Sequence, residues 1–299
     1  MEDRLSFSKI HIIEWLKPAN RQTGEDGDRR TGEETYRELK TLIPASGSRM
    51  DVILHRVSSR ATFIKRLGRI EEDFRASRKV PLLQIETHGD DDNGIGPSED
   101  DGLTWPELME ALTPLNLATG VRLPVVLAAC HGIWGIKMAQ PMERSPFLAL
   151  LGPNRKVYPG EVVRGMRAFY RGIFEHKDGS RAVQMLNNIV DPDKTTFGIF
   201  NCEQLFRDVW EGYFADAMDE RWIAARVEHA AESAKAKRPR SESELADLRV
   251  YMRNYILDHP ARFEESRRHF FMIDLYPENA ARFNLMATPA PAVAPVSGA

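Results

Sequence analysis

Two short stretches of this sequence carry residue types able to break a bond. Ile85-Glu-Thr-His88-Gly89 ends an apolar run in a histidine and a glycine, and Val126-Leu-Ala-Ala-Cys130-His-Gly132 ends another in a cysteine. Cysteine attacks only as thiolate, and free cysteine is mostly thiol at neutral pH. An imidazole within reach takes that proton and can return it to a leaving amine. Glycine beside each residue lets the backbone come close to a substrate carbonyl, where the amides of Gly89 and Cys130 would stabilise an oxyanion. One such donor is typically worth about 10²–10³ in rate. His131 adjoins Cys130, but successive side chains of a strand point to opposite faces, so His88 is the better base.

Other chemistries fit less well. A cysteine-based phosphatase loop closes on an arginine shortly after its nucleophile, at the position where Cys130 has Ile136 and Cys202 has Asp208. Asn93-Gly-Ile-Gly-Pro97 lacks the lysine and the spacing of a phosphate-binding loop. Asp90-Asp91-Asp92 offers hard-cation ligands, yet successive acids in a loop read first as a solvated turn. No metal and no cofactor are therefore expected. Cys202, in Phe200-Asn-Cys-Glu203, has no His-Gly partner and reads as structural. Trp134, just after the Cys130 turn, is a candidate for a pocket wall as well as for the core.

The elements that must hold these residues follow from hydrophobic periodicity. Strands are expected at Lys9–Leu16, Met50–Val57, Pro81–Thr87, Leu123–Ala129, Pro146–Leu151 and Thr195–Phe200. Helices are expected at Thr31–Ile43, Ser59–Ala76, Thr104–Leu112 and Glu161–Phe174, with a long polar loop over Lys17–Gly32. Leu123–Ala129 is the most apolar strand and reads as central. Strands alternating with helices give a three-layer α/β fold on a mostly parallel sheet. Active sites of such sheets lie at the carboxyl ends of strands, where both His88 and Cys130 fall. From Glu203 to about Ala234, and again over Ser241–Tyr255, the pattern is helical, with Lys235–Arg240 read as an exposed linker.

Length and composition set the limits. The 299 residues suffice for about two structural units and a real core. The formal charge of −3 argues against a dedicated nucleic-acid binder. Two cysteines exclude a disulfide framework and a four-cysteine zinc site. The charged N-terminus is not that of a signal peptide, and no run of about 18 apolar residues spans a membrane. A reducing cytoplasm is the expected compartment.

The order His88-Gly89 then Ala129-Cys130, each closing an apolar strand, resembles the caspase-like cysteine peptidases of clan CD. Ala128-Ala-Cys-His-Gly132 is similar to the caspase nucleophile signature, whose histidine lies about 50 residues upstream. Asp101-Gly-Leu103 before a helix, and Phe147–Leu151 before a helix carrying Phe169-Tyr-Arg171, resemble the prokaryotic branch, the CHAT domains. The likeness spans roughly Lys9 to Ile189. It implies a caspase-like domain over 1–200; beyond it the helical pattern gives a helical extension over 201–286, and the Ala/Pro/Val-rich stretch 287–299 reads as a disordered tail. The likeness further implies a cysteine endopeptidase with Cys130 as nucleophile and His88 as acid/base, cutting a specific protein partner in an antiviral-defence or regulated cell-death module. A catalytically inactive scaffold of the same fold is the alternative. Ala128 stands where caspases carry a glutamine that helps hold an acidic P1 side chain. Arg21, Arg29 and Arg30 lie in the loop that borders the cleft in relatives. Asp90–Asp92 and Glu99–Asp101 fall at its mouth, which favours a basic or neutral P1 residue.

Overall fold

The computed structural model of the chain describes residues 7–19, 27–98, 100–138, 143–191 and 193–285. Arg21, Glu99 and the 287–299 tail lie outside these described residues. The chain divides into two compact units, 1–140 with 144–205, and 206–299 with 141–143.

The first unit is built on six of the apolar runs. They form β1 (Lys9–Glu14), β2 (Asp51–Arg56), β3 (Pro81–Glu86), β6 (Pro124–Ala128), β7 (Ala149–Pro153) and β8 (Phe197–Asn201). Their order in the sheet is β2-β1-β3-β6-β7-β8, parallel throughout except for the last strand. A separate antiparallel hairpin, β4 (His88–Asp90) and β5 (Gly94–Gly96), follows β3 directly. Helices α1 (Thr31–Ala45), α2 (Arg60–Ser77), α3 (Trp105–Thr119), α4 (Pro159–His176) and α5 (Gly179–Val190) complete the unit.

Strand alternation sorts the core into two faces. Ile10 and Ile12 of β1 join Leu82, Val126 and Leu151 against Leu39 of α1, Met166 and Phe169 of α4 and Leu186 of α5. On the other face Trp15, just past β1, stacks on Phe63 of α2 with ring centroids 5.0 Å apart. All five residues of β6 are buried, as its continuous apolar sequence requires of a central strand. Thr104 caps α3 and Glu107 reciprocates to the Thr104 backbone.

The second unit is helical, from the later part of α6 (Cys202–Asp216) through α7 (Glu220–Lys237), α8 (Glu242–Leu257), α9 (His259–Phe270) and α10 (Asn279–Arg282). Phe206, Trp210, Phe263, Phe270 and Phe271 make its aromatic core, and Ile223, Val227 and Ile256 a smaller apolar cluster. Two expectations shift. Lys235–Lys237 is not linker but the last turn of α7, because Ala and Lys are strong helix formers and only Pro239 stops them. The strand expected from Pro146 begins at Ala149, since Ser145 Oγ bonds the Phe147 carbonyl in a turned approach.

Candidate active site

In this sheet the loop after β1 runs to α1 on one face, while the segment after β3 runs by way of the hairpin to α3. The crevice between such diverging loops is where open parallel sheets place ligands. β3 and β6 pair in register, Glu86 beside Ala128, so the residues that follow them emerge at one edge. Their backbones touch: a Cβ built on Gly89 would lie 2.2 Å from the Cys130 carbonyl oxygen. Only glycine fits there. Beyond Cys130 the chain turns sharply, with His131 at φ 57° and Gly132 against the Leu127 carbonyl.

The His88 ring is 55% exposed, and its Nε2 lies 2.9 Å from Asp28 Oδ2. The same carboxylate oxygen accepts from the Lys17 amide at 2.7 Å, and the Asp28 amide donates back to the Lys17 carbonyl. Just after Asp28 the loop is pinned to the strands. Arg30 pairs with buried Glu14 at 3.2 Å, and Thr31 Oγ1 donates to buried Glu86 at 2.7 Å. Glu14 and Glu86 are register partners at the ends of β1 and β3. Glu86 also accepts from Gln84 Nε2, which in turn is tied to the buried Tyr170 hydroxyl through its carbonyl oxygen. Burial pushes the Glu86 carboxyl up to about 7, against the lowering effect of the Thr31 and Gln84 bonds.

Cys130 is half-buried. Its Sγ receives the Val157 amide at 3.4 Å and approaches the Val157 carbonyl at 3.6 Å. Val157 belongs to the segment between β7 and α4, which Arg155 steadies by its ion pair with Glu161 and by accepting the His131 amide on its carbonyl. Among the described residues no hydrogen bond joins the thiol to the His88 ring. Each points to a neighbour of its own.

Beside His88 and Gly89 opens a cleft of about 720 Å³, lined further by Asp90, Gly94–Ser98, Asp100, Thr104, Glu107 and Arg60. Asp90 folds onto its own turn, accepting the amides of Asp92 and Asn93, which hold its carboxyl below the ordinary range. Glu107 pairs with Arg60 at 2.7 Å. Arg29 is bound to Glu34 through both carboxylate oxygens, so it and Arg30 are each engaged by a glutamate. Ala128 is buried within the apolar core, and its methyl does not reach the cleft wall. Trp134, 37% exposed, lies in a 3-10 turn after Cys130 and is not among the residues lining that cleft. Cys202 is fully buried at the start of α6. Among the described residues no cluster of three or more His, Cys, Asp or Glu is disposed to hold a metal ion.

Asp28 and Val157 are the site residues that sequence reading missed. Asp28 is one of several acids in the polar stretch Lys17–Gly32, and nothing local distinguishes it. Val157 contributes its backbone, which no side-chain pattern reveals. No protein-family model matches this sequence, and neither does any curated protein.

Proposed function

We propose that the chain is a caspase-like cysteine endopeptidase of the CHAT type, with Cys130 as nucleophile and His88 as general acid and base. One observation carries the reading. The His88-Gly89 and Ala129-Cys130 strand ends lie side by side at the carboxyl edge of a mostly parallel sheet, so closely that Gly89 touches the Cys130 carbonyl. In the reaction the thiol proton passes to His88 as Sγ bonds to the scissile carbonyl carbon. The oxyanion is met by backbone amides at the Cys130 turn, where Cys130 N–H has no backbone partner among the described residues. Collapse breaks the C–N bond, and His88 gives its proton to the leaving amine. Water, deprotonated by His88, then hydrolyses the thioester and restores the thiol. Attack requires Sγ to leave Val157, a rotation about one side-chain bond.

The substrate is a protein or peptide, and a regulatory partner and a role in defence or cell death come with the resemblance. A basic or neutral P1 residue is favoured, because Arg29 and Arg30 are held by Glu34 and Glu14, while Asp90 and Asp100 line the cleft. A nucleic-acid partner is not expected. Among the described residues no helix is long and apolar enough to cross a membrane. A cytoplasmic location remains part of the proposal.

One observation favours a second reading, an inert scaffold: the thiol and the imidazole are each bonded elsewhere. Two measurements separate the readings. Co-expression with neighbouring gene products, followed by mass mapping, should yield one specific cut that disappears in Cys130→Ala. Chloroacetamide should label Cys130 rapidly at neutral pH, and labelling no faster than that of a denatured-state cysteine would favour the scaffold.

A further inference from the structure

We propose that Asp28 is a positioning residue, fixing the ring and tautomer of His88 so that Nδ1 is the nitrogen left to take the Cys130 proton. The proposal rests on the peptidase reading for its catalytic consequence, though not for the tautomer itself. An ionised carboxylate only accepts hydrogen bonds, so at 2.9 Å the His88 Nε2 must be the donor. In a neutral imidazole this leaves the lone pair on Nδ1. Asp28 does not take a proton in any step. It orients the ring and stabilises the imidazolium while His88 holds the thiol proton.

The rest of the loop shows why this contact is more than a chance surface pair. Asp28 and Lys17 bond reciprocally through their backbones and through Asp28 Oδ2, which closes the loop on itself. Arg30 and Thr31 then anchor it to Glu14 and Glu86, and Glu86 closes β3 two residues before His88. The orienting carboxylate and the imidazole it orients therefore share one buried foundation. The pair itself is partly solvated, with His88 55% and Asp28 26% exposed, and solvent-screened pairs contribute little to stability. Asp28→Asn should accordingly leave Tm nearly unchanged. Lys17 N–H and His88 Nε2 both meet Oδ2, so an asparagine oxygen placed there keeps both bonds, whereas Asp28→Ala removes the acceptor and releases the ring.

The test is made on the full chain by ¹⁵N NMR of the His88 ring at a pH where it is neutral. The wild type should carry its proton on Nε2, and Asp28→Ala should let the Nδ1-protonated form appear beside it. With a cleaved substrate in hand, kcat should fall about 10²–10⁴-fold with KM little changed, and Asp28→Glu should recover part of the loss. An unchanged tautomer in Asp28→Ala overturns the proposal. So does a fall in kcat accompanied by a fall in Tm with the tautomer intact, which would make Asp28 a structural strap. A tautomer shift in a protein that cuts no peptide bond supports the positioning role and sinks the peptidase reading instead.

Discussion

The sheet holds two histidine–aspartate clusters, and they differ in almost everything except residue type. At the carboxyl edge, His88 is more than half exposed, and among the described residues its ring hydrogen-bonds to Asp28 and opens onto a cleft. Within the sheet, His11 of β1 is 2% exposed, its Nδ1 is 2.9 Å from His55 Nε2 on β2, and Asp73 of α2 lies 3.6 Å from its other nitrogen. Burial first, and then neighbouring cations, drive the interior rings down, His11 to about 4 and His55 to about 3. At neutral pH that pair is uncharged and serves packing. What the proposed reading asks of a histidine is the place where parallel strands end and their loops part, with glycine letting two backbones touch.

If that contrast is right, changes at the edge abolish turnover and spare stability, while changes in the interior do the reverse. The largest effect is expected for Cys130→Ala and His88→Ala, each lowering cleavage at least about 10³-fold, with Tm nearly constant because both side chains are partly solvated. Cys202→Ala should retain cleavage and lower stability by about 1 kcal/mol, since it empties a fully buried site. Turnover lost only in the Cys202 variant would reverse the assignment.

Gly89→Ala sharpens the comparison from the backbone side. Its new methyl would sit 2.2 Å from the Cys130 carbonyl, so the two strand ends must part. Misplacing reacting groups by about 1 Å costs on the order of 10²-fold in rate. A kinetic assay in which Gly89→Ala keeps wild-type turnover would show that the contact is incidental.

The framework of the fold was legible because its signals are local. Each sheet strand is an apolar run, and α2 and α3 announce their starts with Ser59 and Thr104. The β4–β5 hairpin was not legible, since its strands have three residues each and are rich in glycine and charge. Helix α5 was also missed, although Ala182, Val183 and Leu186 do follow helical spacing behind the Asp178 cap, whereas α9 falls within the expected helical extension without bounds of its own. At the site, His88 and Cys130 could be read because each lies two residues past the end of an apolar strand. Asp28 could not, because its meaning lies in a partner 60 residues away.

The interior pair should dominate the acid limb of stability. Both rings have folded values below the ordinary 6.5, so the unfolded chain binds protons that the folded chain refuses. Stability is complete well above pH 6.5 and declines as pH falls toward about 4 and then about 3, by roughly 4–5 kcal/mol between pH 6.5 and 4.5. Urea denaturation across that range should show the loss, and His55→Leu should flatten it. An unchanged acid limb in His55→Leu would remove the pair from the account.

The smallest effect tests the residue that joins the two regions. Glu86 is buried like His11 but supports the loop that carries Asp28, through Thr31. Its folded value is raised from 4.5 to about 7, the opposite direction from the histidines. The folded chain therefore holds this proton more tightly than the unfolded chain. The stabilisation is fully present below pH 4.5 and is lost as pH rises through about 7, by about 2 kcal/mol between pH 5 and 7. This slope opposes that of the histidine pair but comes from one group against two, so the wild-type curve should still rise between pH 5 and 6.5, only less steeply than the pair alone would make it. Glu86→Gln keeps a neutral, hydrogen-bonding side chain and has no proton to lose. Its stability should overtake the wild type as pH rises from 5 to 7, while the acid limb below pH 4.5 stays as it was. If the two proteins run parallel across that interval, Glu86 is ionised in the folded chain and its charge, not its proton, holds Thr31 and the loop in place.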